Sequence, residues 1–302
     1  MNNFNKNDLL PEGFKVLLPS EAQTEEFISR KIQDLFFSNG YLLVKTPLME
    51  YESTELKELS QKKNSDTFIL VEPGTKKIMV LRSDITSQVA KLATSKLANY
   101  HRPLRLMYAG EVFRNEKNIY QTDRQFKQIG AEVIGVDSID SFIEVINITL
   151  EALNILNIKN ITIDFSLPSI SRYLEKKISY KNNDGAIIRE AIENKNSSLI
   201  KNNKFKYIRG LIDLSGNIDV AKKNAAKVKF PKHIEKLLSN FFNLTNKLRK
   251  SQSKLSMTVD ITEAKSFLKY ENFGFKIYNK DNANAIAIGG DYLINKKESG
   301  LG

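Results

Sequence analysis

Five polar side chains in the first half of the sequence have charges or hydrogen-bonding groups that suit one kind of small molecule: Asp84, Thr86, Arg114, Gln128 and Glu132. An amino acid carries an ammonium group, which needs an anion, and a carboxylate, which needs hydrogen-bond donors. A side-chain carboxylate provides the anion, and the planar fork of an arginine provides paired donors. These residue types therefore predict a site for a zwitterionic amino acid.

Two strands and one helix have to position these side chains. The stretches at 105–114, RLMYAGEVFR, and 124–135, RQFKQIGAEVIG, alternate in polarity and predict a long hairpin. Gln128 and Glu132 are separated by an even interval, so they share one sheet face, which Arg114 on the neighbouring strand can reach. Asp84 stands at the corner where a predicted helix begins.

Each of these side chains also has an ordinary structural explanation. Asp84 can cap the helix that follows it. Arg114 can form a cross-strand ion pair with Glu116 or Glu132, with Gln128 as a common polar residue. The residues alone leave both interpretations open.

The aromatic residues of this hairpin, Tyr108, Phe113 and Phe126, are expected in the core. Gly130 is expected to relieve crowding beside a ligand or another backbone.

The other periodic segments predict an α+β fold. Apolar residues recur at helical spacing from 20 to 39, and YLLVKTPLME at 41–50 predicts an edge or interface strand because Pro47 cannot donate to a central ladder. A hairpin is predicted at 67–82, a helix at 138–156 and a strand at 161–169. We therefore expect an antiparallel sheet flanked by helices. Its parts are a core from 1 to 168, a helical insertion from 169 to 252, and C-terminal core strands from 253 to 302.

Composition excludes several classes of protein. No apolar run approaches the roughly 18 residues of a membrane span, and the N-terminus lacks the pattern of a signal peptide, so we expect a cytoplasmic protein. With Cys 0 and His 2, disulfides and thiolate metal sites are excluded, and no metal or cofactor is expected.

The net charge of +11 raises the possibility of nucleic-acid binding. Much of the surplus lies in Lys/Asn-rich stretches such as KNNKFKYIRG, which we interpret as solvated surface. An RNA-binding module that uses the basic insertion remains an alternative.

Several segments together resemble the class II aminoacyl-tRNA synthetases, specifically the histidyl branch. The first helix with YLLVKTPLME is similar to the motif whose proline, here Pro47, lies at a dimer interface. The hairpin at 105–135 resembles the second motif, which holds the amino-acid carboxylate and the ATP phosphate. The resemblance covers nearly the whole chain and is strongest from 10 to 165. It implies a class II synthetase-like fold, in which the five polar residues match histidine-contacting positions.

One segment distinguishes two branches of this family. MVLRSDITSQVAK stands where the synthetase reads Arg-Pro-Glu-Gly-Thr, and its Asp-Ile-Thr is typical of the ATP phosphoribosyltransferase regulatory subunits. The histidine-specific loop is similar only to the diverged AKSFLKYENFGF, in which Lys265 takes the arginine position and Tyr270 that of the second tyrosine. The resemblance thus implies that histidine binds with its carboxylate on Arg114, its ammonium near Glu132 or Asp84, and Tyr270 at its imidazole.

Groups that would bind ATP depart from the synthetase pattern. Thr122 stands in place of the triphosphate-binding arginine of the second motif, although Arg124 remains. After AIAIGGDYLI neither the arginine of the third motif nor an anticodon-binding domain is found, so tRNA binding is not expected. The resemblance implies a non-catalytic regulatory subunit, a homodimer within a larger hetero-oligomer. Its partner would be the short-form ATP phosphoribosyltransferase catalytic subunit and its effector histidine. The alternative is a truncated histidyl-tRNA synthetase or a related amino-acid-activating enzyme.

Overall fold

A computed structural model describes residues 10–52, 67–115, 123–178, 183–263, 269–280, 284–295 and 298–302. The chain divides into two compact units, Met1–Ile134 and Gly135–Gly302. Both units combine helices with β-strands. No helix within the described ranges is long and apolar enough to cross a membrane.

The first unit carries the predicted hairpin. Its elements are α1 (Pro19–Ser38), β1 (Leu42–Leu43), β2 (Met49–Tyr51), β3 (Ile69–Val71), β4 (Ile78–Leu81), α2 (Thr86–Thr94), β5 (Leu104–Phe113) and β6 (Gln125–Ile134). Strands β5 and β6 pair antiparallel from Leu104↔Ile134 to Phe113↔Gln125, which confirms the hairpin. β1 pairs parallel to β5 and is the edge strand of the sheet that contains the hairpin. A separate antiparallel sheet has the order β2-β4-β3.

The expectation of one continuous strand at 41–50 was wrong. β1 pairs with β5, whereas β2 pairs with β4 of the small sheet. Between them, the carbonyl of Thr46 accepts from Arg82 Nη1 at 2.9 Å, and that of Pro47 accepts from Gln88 Nε2 at 2.9 Å. Side chains rather than a strand ladder thus satisfy this backbone, and Pro47 lies where the chain passes from one sheet to the other.

The second unit includes residues 169–252, for which a helical insertion was predicted. Its elements are α3 (Ile139–Ile155), β7 (Ile161–Ser166), α4 (Pro168–Ile178), α5 (Asn183–Glu193), α6 (Lys206–Ile212), β8 (Gly216–Asn217), α7 (Ile218–Ala225), α8 (Lys232–Ser251), β9 (Ser256–Asp260), β10 (Gly274–Asn279), β11 (Ala285–Asn295) and β12 (Glu298–Leu301). Its strands follow the order β12-β11-β10-β7-β9-β8. Pairing is antiparallel except between β7 and β9, which are parallel.

Buried side chains that alternate along β7 and β10 form the core of the second unit. Ile163, Phe165 and Phe275 point to one face and are fully buried. Aromatic rings from two helices pack there: the Phe142 ring lies 5.9 Å from that of Phe275, and the Phe241 ring 5.6 Å from that of Phe165. Such offset and edge contacts add to the stabilisation that burial gives.

Candidate functional site

The candidate site is centred on a tyrosine of β5 whose side chain extends over β6, the other strand of the hairpin. Tyr108 lies directly opposite Gly130. A Cβ atom at Gly130 would lie 2.3 Å from the Tyr108 hydroxyl oxygen, so only glycine leaves room for the ring. Gly130 therefore relieves crowding, as expected, but it does so for the side chain of Tyr108. The tyrosine is 4% exposed, in agreement with its expected burial.

The hydroxyl of Tyr108 connects three of the predicted residues. It donates to Glu132 Oε1 at 3.3 Å and lies 3.0 Å from Thr86 Oγ1 and 3.5 Å from Gln128 Nε2. A phenol has one proton to give, so with Glu132 as its acceptor the Thr86 hydroxyl is the donor to Tyr108. Glu132 is only 1% exposed. The network thus holds a buried carboxylate and a phenol at one sheet face.

Asp84 forms the other half of the network, at the corner before α2. Its Oδ1 accepts from Gln128 Nε2 at 2.9 Å and from the Thr86 amide at 3.1 Å. Gln128 completes the bridge because its Oε1 accepts from the Ile85 amide at 3.0 Å. Asp84 therefore satisfies an amide at the entry of α2, as the structural interpretation predicts, and also belongs to the polar cluster. Its role in ligand binding stays a prediction.

Arg114 lies beside the same corner. It follows the last residue of β5, and its amide continues the hairpin by donating to the Arg124 carbonyl at 2.8 Å. Its guanidinium carbon lies 4.8 Å from the centroid of the Phe126 ring, and its Nε donates to the Ser83 carbonyl at 3.3 Å. Stacking on the ring orients the guanidinium fork next to the Asp84 corner.

Arg82 lies two residues before Asp84, and its structural role at this corner was not predicted from the sequence. Its Nε donates to the Glu111 carbonyl at 2.7 Å, and its Nη1 donates to Thr46. Its Nη2 fills the space that a side chain at Gly110 would need, since a Cβ at that position would lie 2.3 Å from Nη2. Burial lowers the pKa of the Arg82 guanidinium, partly offset by Glu111. A basic residue before a helix gives no sequence signal for this role, because the partners depend on strand register.

Tyr270 belongs to the second unit. It is buried, and a Cβ at Gly290 would lie 2.5 Å from its Cδ1, so the ring packs over that glycine. Its carbonyl accepts from Arg172 Nη1 at 2.8 Å. The structure therefore brings together Asp84, Thr86, Arg114, Gln128 and Glu132 in the first unit, and Tyr270 lies in the second. The histidine-binding role of all six residues stays a prediction. Lys265 and Thr122 lie outside the described residues.

Arg124 is packed into the first unit. Its guanidinium carbon lies 4.5 Å from the centroid of the Phe68 ring and 5.8 Å from that of Phe14. Its Nη2 donates to Asn115 Oδ1, and its amide donates to the Gly13 carbonyl at 2.8 Å. These contacts hold the side chain against the N-terminal segment.

The cluster contains carboxyl groups at Asp84 and Glu132 and a guanidinium at Arg114, the group types that recognise the ammonium and the carboxylate of an amino acid. Within the described ranges, no group of three or more His, Cys, Asp or Glu side chains could hold a metal ion.

Comparison with known proteins identifies the family. A family model named histidyl-tRNA synthetase matches residues 13–301. The ATP phosphoribosyltransferase regulatory subunit of Rhodospirillum rubrum is 31% identical over 287 residues, which are 94% of this chain and 75% of that protein. That of Gluconobacter oxydans is 28% identical over 293 residues, 96% of this chain and 77% of that protein.

Solved structures share the fold. An ATP phosphoribosyltransferase regulatory subunit/histidyl-tRNA synthetase from Bacillus halodurans aligns with a TM-score of 0.82 at 21% identity, over 98% of this chain and 81% of that one. A chain of the ATP phosphoribosyl transferase complex from Thermotoga maritima aligns with a TM-score of 0.67 at 18% identity, over 92% of this chain and 95% of that one. The expected class II synthetase-like α+β fold is confirmed. The chain belongs to the histidyl-tRNA synthetase family, in the branch of the ATP phosphoribosyltransferase regulatory subunits.

Proposed function

We propose that this protein activates a short-form ATP phosphoribosyltransferase and reports the concentration of histidine to it, at the first step of histidine biosynthesis. The names of its relatives support the partnership. The observation that carries the sensing role is the network around Asp84, in which the Asp-Ile-Thr corner is joined to Gln128 and Tyr108. The corner that distinguishes the regulatory branch is thereby part of an ordered polar cluster.

Histidine is the ligand that we assign to this cluster. Arg114 takes its carboxylate, because a stacked guanidinium presents a fixed pair of donors. Glu132 or Asp84 takes its ammonium. Tyr270 is assigned to the imidazole by its position in the diverged loop. Removal of one partner of a buried charged contact costs about 2 to 5 kcal/mol of binding free energy.

We assign catalysis to the partner. Formation of an adenylate requires cations around the ATP phosphates to offset charge in the transition state. Arg124 is engaged by two aromatic rings and Asn115, and threonine occupies position 122. Transfer of the phosphoribosyl group from phosphoribosyl pyrophosphate to ATP would then take place on the catalytic subunit.

We further propose that two copies of the chain pair through α1 and the segment 41–51. Support comes from a set of large apolar side chains of the first unit that are exposed in the single chain: Phe27, Phe37, Leu42, Leu43, Leu48, Met49, Tyr51, Ile69, Val71 and Ile78. An edge strand beside such residues favours association unless it is covered. Pro47 of the resembled dimer motif lies within this segment, which favours a second copy as the occupant.

The test is to combine the protein with the short-form enzyme of the same organism and to measure phosphoribosyl-ATP formation. Turnover should rise when this chain is added. Unchanged turnover in a complex demonstrated by sedimentation would reject the regulatory role. A histidine-dependent exchange of pyrophosphate into ATP by this chain alone would instead establish the activating-enzyme alternative.

A further inference from the structure

One stretch of the second unit, residues 166–172, holds both flanks of the segment that carries Tyr270. The contacts on the first flank are Ser166 Oγ to the Glu263 carbonyl at 3.0 Å and Ser171 Oγ to the Ile261 carbonyl at 2.9 Å. The contacts on the second flank come from Ser169 and Arg172. This stretch ends β7 and begins α4, the first helix of the insertion.

Arg172 makes the most extensive of these contacts. Its Nη1 donates to the Tyr270 carbonyl at 2.8 Å, and its Nη2 donates to the Glu271 carbonyl at 2.7 Å. Nη2 also pairs with Glu271 Oε2 at 2.8 Å, and Ser169 Oγ donates to the Glu271 carbonyl at 2.6 Å. The guanidinium thus bridges two successive peptide carbonyls, which requires its rigid fork and cannot be reproduced by the single ammonium of lysine.

Asp291 fixes the next residues. Its carboxylate accepts from the Asn272 amide at 2.9 Å and from the Phe273 amide at 2.6 Å. The neighbouring Gly290 leaves the space that the Tyr270 ring fills. The backbone from 270 to 273 is therefore set by Arg172 on its carbonyls and by Asp291 on its amides.

We propose that Arg172 is the positioning residue for Tyr270, and that it links the start of the helical insertion to histidine recognition. This inference rests on the proposed function, since it assumes that Tyr270 contacts the effector. A movement of α4 would change the carbonyl positions at 270 and 271, and with them the direction of the Tyr270 ring. The insertion would then act on histidine affinity through one side chain.

The test compares Arg172→Lys with Arg249→Lys in the full chain. Arg249 is a matched control because it also belongs to the second unit and also donates to a loop carbonyl, that of Leu255, at 2.7 Å. The two side chains are similarly exposed, 36% for Arg249 and 32% for Arg172. Two quantities are measured: histidine affinity by calorimetry, and hydrogen–deuterium exchange of the peptide spanning 269–275. Arg172→Lys should lower histidine affinity by about tenfold and should speed amide exchange at 271–273, because one ammonium cannot hold both carbonyls and Tyr270 then loses its fixed position. Arg249→Lys should change neither.

Unchanged exchange at 271–273 in Arg172→Lys would overturn the positioning role, and so would an equal loss of affinity in Arg249→Lys. If the wild-type chain binds no histidine, the proposed function is rejected, while the exchange data still decide whether Arg172 holds Tyr270. If Arg172→Lys does not fold, Ser169→Ala removes the adjacent bond to the Glu271 carbonyl and should speed exchange in the same peptide. No change there would also overturn the inference.

Discussion

Replacing Gly130 with alanine should disable the site from within while leaving its charged residues in place. The added Cβ would lie 2.3 Å from the Tyr108 hydroxyl and 2.7 Å from its Cε2, whereas ordinary carbon contacts lie near about 3.5 Å. The ring must therefore move by roughly 1 Å, although it is buried and its hydroxyl is held by Thr86 and Glu132. Overpacking of this kind costs about 1 to 3 kcal/mol, and disruption of the contact with the buried carboxylate adds about 1 to 3 kcal/mol.

The second unit provides a matched control for this change. Tyr292 lies opposite Gly300 in β11 and β12, and a Cβ there would lie 2.4 Å from the tyrosine Cζ. Gly300→Ala therefore imposes a similar steric cost on a tyrosine of the second unit. Urea unfolding should show a loss of stability in both variants, whereas calorimetry should show a loss of histidine affinity of about tenfold or more in Gly130→Ala alone. If Gly130→Ala binds histidine as the wild type does, Tyr108 does not organise the site.

Three other perturbations follow from the charges and surfaces described. Arg114→Ala should weaken histidine binding by about 2 to 5 kcal/mol in calorimetry, and retained affinity would reject its assignment to the carboxylate. Met49→Lys should dissociate the proposed homodimer in sedimentation. Val220→Lys should not, although Val220 is an apolar residue of similar exposure, 54% against 46% for Met49. Lys195 pairs with Asp260 at 2.6 Å. That contact raises the pKa of the lysine. Burial raises the pKa of Asp260, but the hydrogen bonds from Lys195 and Thr262 together outweigh burial and lower it. Lys195→Met should therefore lower the free energy of unfolding by about 1 kcal/mol. This difference should stay constant from about pH 5 to 9. It should disappear at low pH as the aspartate is protonated, when pH falls below about 4 and through its lowered pKa. It should also disappear at high pH as the lysine loses its proton, when pH rises through its raised pKa. A pH-independent difference would contradict the pairing.

Local pattern was sufficient to predict the hairpin and its polar face. Alternation gave the strands at 105–114 and 124–135, and the even spacing of Gln128 and Glu132 gave their shared face. Neither observation requires knowledge of a partner strand. The Asp84 corner followed from residue type and from its place before an apolar helical repeat.

Contacts that depend on register or on distant segments were not predictable in this way. The crossing of Tyr108 over Gly130 requires the pairing of two particular residues, and a slip of one position would remove it. The role of Arg82 depends on Gly110 and on Thr46, 36 residues earlier in the chain. The break of the strand at Pro47 likewise comes from side chains that bind its carbonyls, which override the local preference for an extended run.

If histidine bound to this chain changes the activity of the catalytic subunit, as proposed, the two sites must be linked by a coupling free energy of about 1 to 3 kcal/mol. The most direct measurement is the initial rate of phosphoribosyl-ATP formation by the short-form enzyme saturated with this chain, as histidine is titrated. The wild-type chain should give inhibition that saturates, and the complex with Arg114→Ala should stay active with the inhibition lost or shifted to much higher histidine concentration. The same inhibition curve for both chains would mean that histidine acts at a site that does not include Arg114.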